Sequence, residues 1–176
     1  MADTKQRIRD VASELFARQG YTGTSMADIA GRLSITPAAL YYHYRSKADV
    51  LDALLAEPLA AYAELAKHAA ELAPADLLAA FVDFTTRAHA VIPVVTSDPA
   101  VRDLLDERFP SRPADMMASV IAALAGPDPD RAALIRAHAA FAVAKEATAA
   151  VLATRSLESA DREEILAAAL RALANP

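Results

Sequence analysis

The chain has 176 residues and no cysteine, which excludes disulfides, thiolate chemistry and cysteine-ligated zinc. Hydrophobic residues make up 55% and charged residues 23%, a balance that supports a packed core, and 45 alanines against four glycines favour an all-α fold over a sheet. The net charge of −5 disfavours a polyanion as partner of the whole chain, but residues 1–50 carry seven Lys and Arg against five Asp and Glu, while the remainder carries eleven against eighteen, so a mildly basic N-terminal unit stands on an acidic body.

From Thr4 to Gln19, Ile8, Val11, Ala12, Leu15 and Phe16 recur at helical spacing, and Gly20 supplies the stop. A second helix is predicted to start after Ser25, with Asp28 three residues on completing a capping box and Met26, Ile29, Ala30 and Leu33 facing inward. Ser34 and Ile35 form a short break. Thr36 can then cap a third helix whose first position suits Pro37, since proline's missing N–H is no loss there. Ala38 to Tyr44 completes that helix.

Ser46 with Asp49 is another capping box, opening a helix through Val50, Leu51, Leu54 and Leu55 to about residue 73, with Pro58 predicted to kink or split it. Prolines at 74, 93, 99, 110 and 113, then Gly126-Pro127, punctuate further helical segments expected at about 75–91, 99–108, 113–125, 129–154 and 159–174. No segment alternates like a strand. No apolar run approaches the roughly 20 residues needed to span a bilayer, and the start of the chain carries no apolar leader, so the expectation is a cytoplasmic protein without membrane contact.

Two short helices joined by a three- or four-residue turn, the second led by small residues, describe a helix-turn-helix. The DNA major groove is about 12 Å wide, so an entering helix needs a slim leading end such as Pro37, Ala38 and Ala39 provide. Tyr41, Tyr42, His43, Arg45 and Lys47 gather at its far end, with hydroxyl, imidazole, guanidinium and ammonium groups suited to phosphates.

The run FARQGYTGTSMADIAGRLSITPAALYYHYRSKADVL resembles the N-terminal signature of TetR-type regulators. The distinctive matches are Phe16, Gly20 and Tyr21 at the first helix end, Thr24 before the second helix, Ile29-Ala30 within it, and the Leu40–Lys47 block. The likeness covers residues 5–55, and the body shares only helical character and length. It implies that Thr24, Tyr41, His43 and Lys47 hold phosphates, that Thr36, Pro37, Ala38 and Tyr42 lie nearest the bases, and that Leu40 is core. One departure is visible: many relatives have glycine at the turn position occupied here by Ser34, and a non-glycine residue in the left-handed region is uncommon. Tyr44 reads more simply as core. With Thr36 and Tyr42 the main polar groups near base edges, readout is expected to lean on van der Waals contact and DNA shape.

The resemblance further implies a helix-turn-helix domain over 1–45 and a helical regulatory domain over 46–176, with the last two helices pairing between subunits of a homodimer on a palindromic operator of double-stranded DNA. The sequence offers its own support in a stripe of Ala133, Ala137, Ala140, Ala144, Ala147 and Val151, which would let a second helix approach closely, although packing within the chain explains the same stripe. Leu166, Leu170 and Leu173, with Ile165 and Ala169, give the final helix an apolar face. A small-molecule effector cavity is also implied, with Tyr62, Phe81, Phe84, Thr85, His89, Phe109, Met117, His138, Phe141 and Lys145 as candidate lining; aromatics and methionine at such spacing are equally ordinary core. His138, Phe141 and Lys145 share one face of a long helix, and Lys145 is expected to seek a carboxylate near Glu146 or elsewhere.

An enzyme is not expected. No H-E-x-x-H, G-x-S-x-G, P-loop or G-x-G-x-x-G pattern occurs, His43, His68, His89 and His138 lack metal-ligand spacing, and no cofactor is implied. Acidic pairs such as Asp106-Glu107 and Glu163-Glu164 read as solvated helix faces. The rival reading is a helical adaptor that binds only protein. The sequence thus points to a ligand-responsive transcriptional regulator, more commonly a repressor in such a family, released from DNA by its effector.

Overall fold

The computed structural model describes residues 2–109 and 112–174; the predicted break at Pro110 lies outside them. Among the described residues there are ten α-helices and no strand: α1 Ala2–Gln19, α2 Met26–Arg32, α3 Pro37–His43, α4 Lys47–His68, α5 Pro74–Ala88, α6 Ile92–Ser97, α7 Pro99–Arg108, α8 Pro113–Ala125, α9 Arg131–Leu152 and α10 Ser159–Leu173. None of these helices is long and apolar enough to cross a membrane.

Capping chemistry sets most starts. Proline occupies the first turn of α3, α5, α6, α7 and α8, where its fixed φ is already helical. Side-chain oxygens of Ser25, Thr36, Asp98 and Asp130 accept the orphan amides that open α2, α3, α7 and α9. Pro58 does not split α4, which runs on to His68 before the short 3-10 turn Ala69–Glu71. The 90s hold the one helix that periodicity missed, α6, too short to carry a readable apolar repeat.

Close contacts divide the chain into two units, residues 1–59 with 90–110, and residues 60–89 with 111–176. The expected boundary between 45 and 46 therefore does not coincide with a division of packing. Ser46 and Lys47 open a helix whose first turns belong to the first unit, and the division falls one residue beyond Pro58, where the helix lacks an N–H.

In the first unit Ile8, Phe16, Ile29, Leu40, Val50 and Leu55 from α1 to α4 are buried together with Val94, Val101 and Leu105 of α6 and α7. Ser13 Oγ of α1 donates to the Ala90 carbonyl at 2.9 Å. In the second, α9 packs against α5, α8 and α10. Ala137, Ala140 and Ala144 are wholly buried there, so at these three positions the stripe serves packing within the chain, the alternative the sequence left open, while Ala133, Ala147 and Val151 are half-buried. Ile135, His138, Ala142 and Glu146 form the solvent-facing side of the same helix.

Candidate nucleic-acid interface

The α2–α3 turn is closed by a Schellman arrangement. Ile35 N–H donates to the Ala30 carbonyl and Ser34 N–H to the Gly31 carbonyl, both at 3.1 Å, and Ser34 takes φ +57° where glycine is usual. The Ser25 box ahead of α2 is reciprocal: Asp28 N–H donates to Ser25 Oγ at 3.1 Å, and Ser25 N–H to Asp28 Oδ2 at 2.8 Å. The hydrogen bonds from Ser25 hold the Asp28 carboxyl below the usual carboxylate range.

In α3, Leu40 is fully buried and anchors the helix, while Thr36, Pro37, Ala38 and Ala39 are exposed. Thr36 Oγ1 accepts the Ala39 N–H at 3.2 Å, so its hydroxyl is oriented at the helix tip. Tyr41 and Tyr42 are 51% and 77% exposed, unusual for large rings and therefore a surface free to meet a partner. His43 is half-buried and meets Tyr42 edge-on at 5.3 Å. Tyr44 turns inward as expected, but its hydroxyl is buried without a hydrogen-bond partner among the described residues.

Two residues expected on phosphates are engaged otherwise. Thr24 is buried, and its hydroxyl donates to the Gly20 carbonyl at 2.8 Å and accepts from Gln19 Nε2 at 3.2 Å. Lys47 Nζ donates to the carbonyls of Tyr21 and Thr24 at 2.6 and 2.7 Å, and lies 4.2 Å from the centre of the Tyr21 ring. In the free chain both tie down the loop between α1 and α2. Burial lowers the Lys47 pKa and raises that of Tyr21.

Sequence reasoning also missed α7's part in this module. Asp98 Oδ2 accepts the Thr22 N–H at 2.7 Å and Oδ1 accepts the Ala100 N–H at 3.0 Å. At the other end of α7, Arg108 Nε donates to Asp52 Oδ2 of α4 at 2.9 Å and its Nη2 lies 3.8 Å from Asp49. The Asp98-Pro99 pair repeats the Thr36-Pro37 pattern and was readable as a helix start; what Asp98's second oxygen reaches, 76 residues away, was not.

The candidate effector residues do not converge. Tyr62, Phe81, Phe84 and Phe141 pack ring to ring at 4.5 to 6.1 Å, with Thr85 buried beside them donating to the Phe81 carbonyl. That cluster is filled core, and burial drives the Tyr62 hydroxyl pKa well upward. His89 is exposed at an open cleft of about 460 Å³ lined also by Thr86 and Leu152–Leu157. Phe109 belongs to the first unit, at a hollow with Asp52, Ala56 and Arg108. Met117 is 40% exposed on α8. His138 faces solvent while Phe141 is buried, so the shared face expected for them divides, and Lys145 pairs with Glu146 at 2.8 Å.

Residues 8–54 match the profile of a family described as bacterial regulatory proteins, tetR family. Over 48 residues the chain is 42% identical to the HTH-type transcriptional regulator AcrR of Shigella flexneri, covering 27% of this chain and 22% of that protein. Over 48 residues it is 44% identical to IcaR of Staphylococcus aureus, the HTH-type negative regulator of the biofilm operon icaADBC, covering 27% and 26%. These alignments span about a quarter of the relatives' length. Across nearly the whole chain the fold is that of a TerR/AcrR-family transcriptional regulator from Aquifex aeolicus, with a TM-score of 0.67, 22% identity, and coverage of 93% and 96%. The proteins matched are transcriptional regulators, not enzymes.

Proposed function

We propose, from the match of residues 8–54 to the tetR family of bacterial regulatory proteins, that the whole protein is a cytoplasmic, ligand-responsive repressor that binds a palindromic operator as a homodimer. The observation that carries the reading is the surface of α3. A narrow tip of Thr36, Pro37 and Ala38 stands beside Tyr41 and Tyr42, all exposed, on a helix anchored by buried Leu40. A slim end enters the groove, and hydroxyl and imidazole groups behind it reach the backbone. In this reading Thr36, Pro37, Ala38 and Tyr42 approach the bases, Tyr41 and His43 take phosphates, and Thr24 and Lys47 hold the frame.

Reading a palindrome requires two copies of α3 about 34 Å apart, hence a dimer. Pairing through α9 and α10 is supported by the exposed apolar side chains Leu134 and Ile135 on α9, 40% and 59% accessible, and by the half-buried Leu166, Leu170 and Leu173 of α10. A repressor is favoured by the likeness to IcaR, a negative regulator. Release by a small molecule requires that it bind two conformations of the protein unequally. Because the aromatic cluster is closed, an effector entering there must separate Tyr62, Phe81, Phe84 and Phe141.

The test is duplex selection from a random pool by the full chain, followed by binding at two salt concentrations and sedimentation of free and bound protein. A selected palindrome bound by a dimer, with affinity falling steeply with salt and lost in Tyr42→Ala, is the expected outcome. Folded protein that selects no duplex refutes the regulator and leaves the adaptor.

A further inference from the structure

We propose that Asp98 is a positioning residue for DNA binding, its carboxylate fixing the Gly20–Thr24 loop and thereby the start of α2; the inference rests on the regulator reading above. A helix N-cap needs only one oxygen, as Ser25 and Thr36 show at α2 and α3. Asp98 caps α7 with Oδ1, on the Ala100 N–H at 3.0 Å, and its second oxygen is surplus to that task. That oxygen crosses to the Thr22 N–H at 2.7 Å.

The loop it reaches is shaped to receive it. Gly20 sits at φ +79°, which favours glycine, and a Cβ there would stand 3.3 Å from Asp98 Oδ2, closer than an ordinary van der Waals contact. From the opposite side Lys47 takes the loop's Tyr21 and Thr24 carbonyls. The segment is therefore gripped by α4 through its acceptors and by α7 through a donor. Asp98 is itself buried, and the Thr22 N–H keeps its carboxyl in the ionised form by lowering its pKa.

Thr24 is followed at once by the Ser25 box that starts α2, and α2 packs on α3 across the Ser34 turn. A shift of the loop therefore moves both helices of the DNA-presenting pair. Residues 90–110, which the sequence assigns to the regulatory body, thus contribute directly to how α3 is presented, without touching DNA.

The experiment uses the full chain and a duplex selected by the wild type from a random pool, with Asp98→Ser, Asp98→Asn and Val120→Ala compared at a temperature where all are folded by circular dichroism. Serine can still cap α7 but is too short for Thr22; asparagine has one oxygen and can serve Ala100 or Thr22, not both. Val120 is a buried α8 side chain in the other unit, and its truncation lowers stability without involving the loop. Expected are a loss of affinity of about tenfold in both Asp98 variants, faster exchange of the Thr22 amide, and an unchanged salt slope, since no phosphate contact is removed. Val120→Ala should bind as the wild type does. Asp98 variants that bind like the wild type, or an equal loss in Val120→Ala, overturn the positioning role alone. A wild type that selects no duplex overturns the regulator reading and this inference with it.

Discussion

The ammonium of Lys47 stands 4.2 Å from the centre of the Tyr21 ring and donates to the Tyr21 and Thr24 carbonyls, so the first residue of α4 holds the loop that precedes α2. Two of its three N–H groups are thereby used. Lys47→Met, which keeps the stem and removes the charge, is expected to lower stability by about 1–2 kcal/mol, the scale of hydrogen bonds to a charged donor. It should also weaken DNA binding while leaving the slope of log affinity against log salt unaltered. A slope reduced by about one would instead mark Lys47 as a phosphate ligand.

Ser34 holds the left-handed turn at a conformational cost of about 1–2 kcal/mol for a residue with a Cβ. Glycine removes that cost and adds about 0.5–1 kcal/mol of unfolded-chain entropy. Ser34→Gly should therefore stabilise by roughly 0.5 kcal/mol, with DNA affinity retained because the turn is already left-handed. Thermal unfolding that shows a lower Tm would mean that the serine hydroxyl compensates for the strain.

Tyr44 is 7% exposed and its buried hydroxyl has no partner among the described residues. Removing an unsatisfied polar atom while keeping the ring is neutral or favourable. Tyr44→Phe is accordingly expected to raise stability by about 1 kcal/mol, or Tm by ~2–4 °C for a chain of this length. A destabilised variant would show that the hydroxyl is satisfied in solution.

What was legible in the sequence was local. Ser25 with Asp28 and Thr36 with Pro37 each express themselves within four residues and stand where spacing put them, while Ser34 takes the left-handed turn that the resemblance gives to glycine. That Leu40 is buried while Tyr41 and Tyr42 are exposed follows what the family resemblance implied for the α3 face. The carbonyl contacts of Thr24 and Lys47 were not legible, because their residue types suit phosphate and carbonyl oxygens alike and only the fold shows which carbonyls lie within reach. Asp98 and Arg108 were beyond reach for another reason: their partners Thr22 and Asp52 lie 76 and 56 residues away. The alanine stripe of α9 carried its period correctly but not its direction, since a smooth face suits α5, α8 and α10 as well as another subunit.

Arg162 of α10 and Asp83 of α5 meet through two parallel hydrogen bonds, Nε to Oδ1 at 2.7 Å and Nη2 to Oδ2 at 2.9 Å. Arg162's hydrogen bonds lower the Asp83 pKa in the folded protein, while the unfolded chain keeps an ordinary value near 3.9. The folded state therefore binds this proton less readily. The pair's contribution is present above about pH 4 and is lost as pH falls through the depressed folded value. Both side chains are partly solvated, at 35% and 43% exposure, so the contribution is about 1 kcal/mol or less. Urea midpoints of the wild type and Asp83→Asn should differ at pH 7 and converge towards pH 3, with the other carboxylates, common to both proteins, cancelling in the comparison. A gap that persists unchanged at pH 3 would assign the difference to packing of the side chain rather than to its charge.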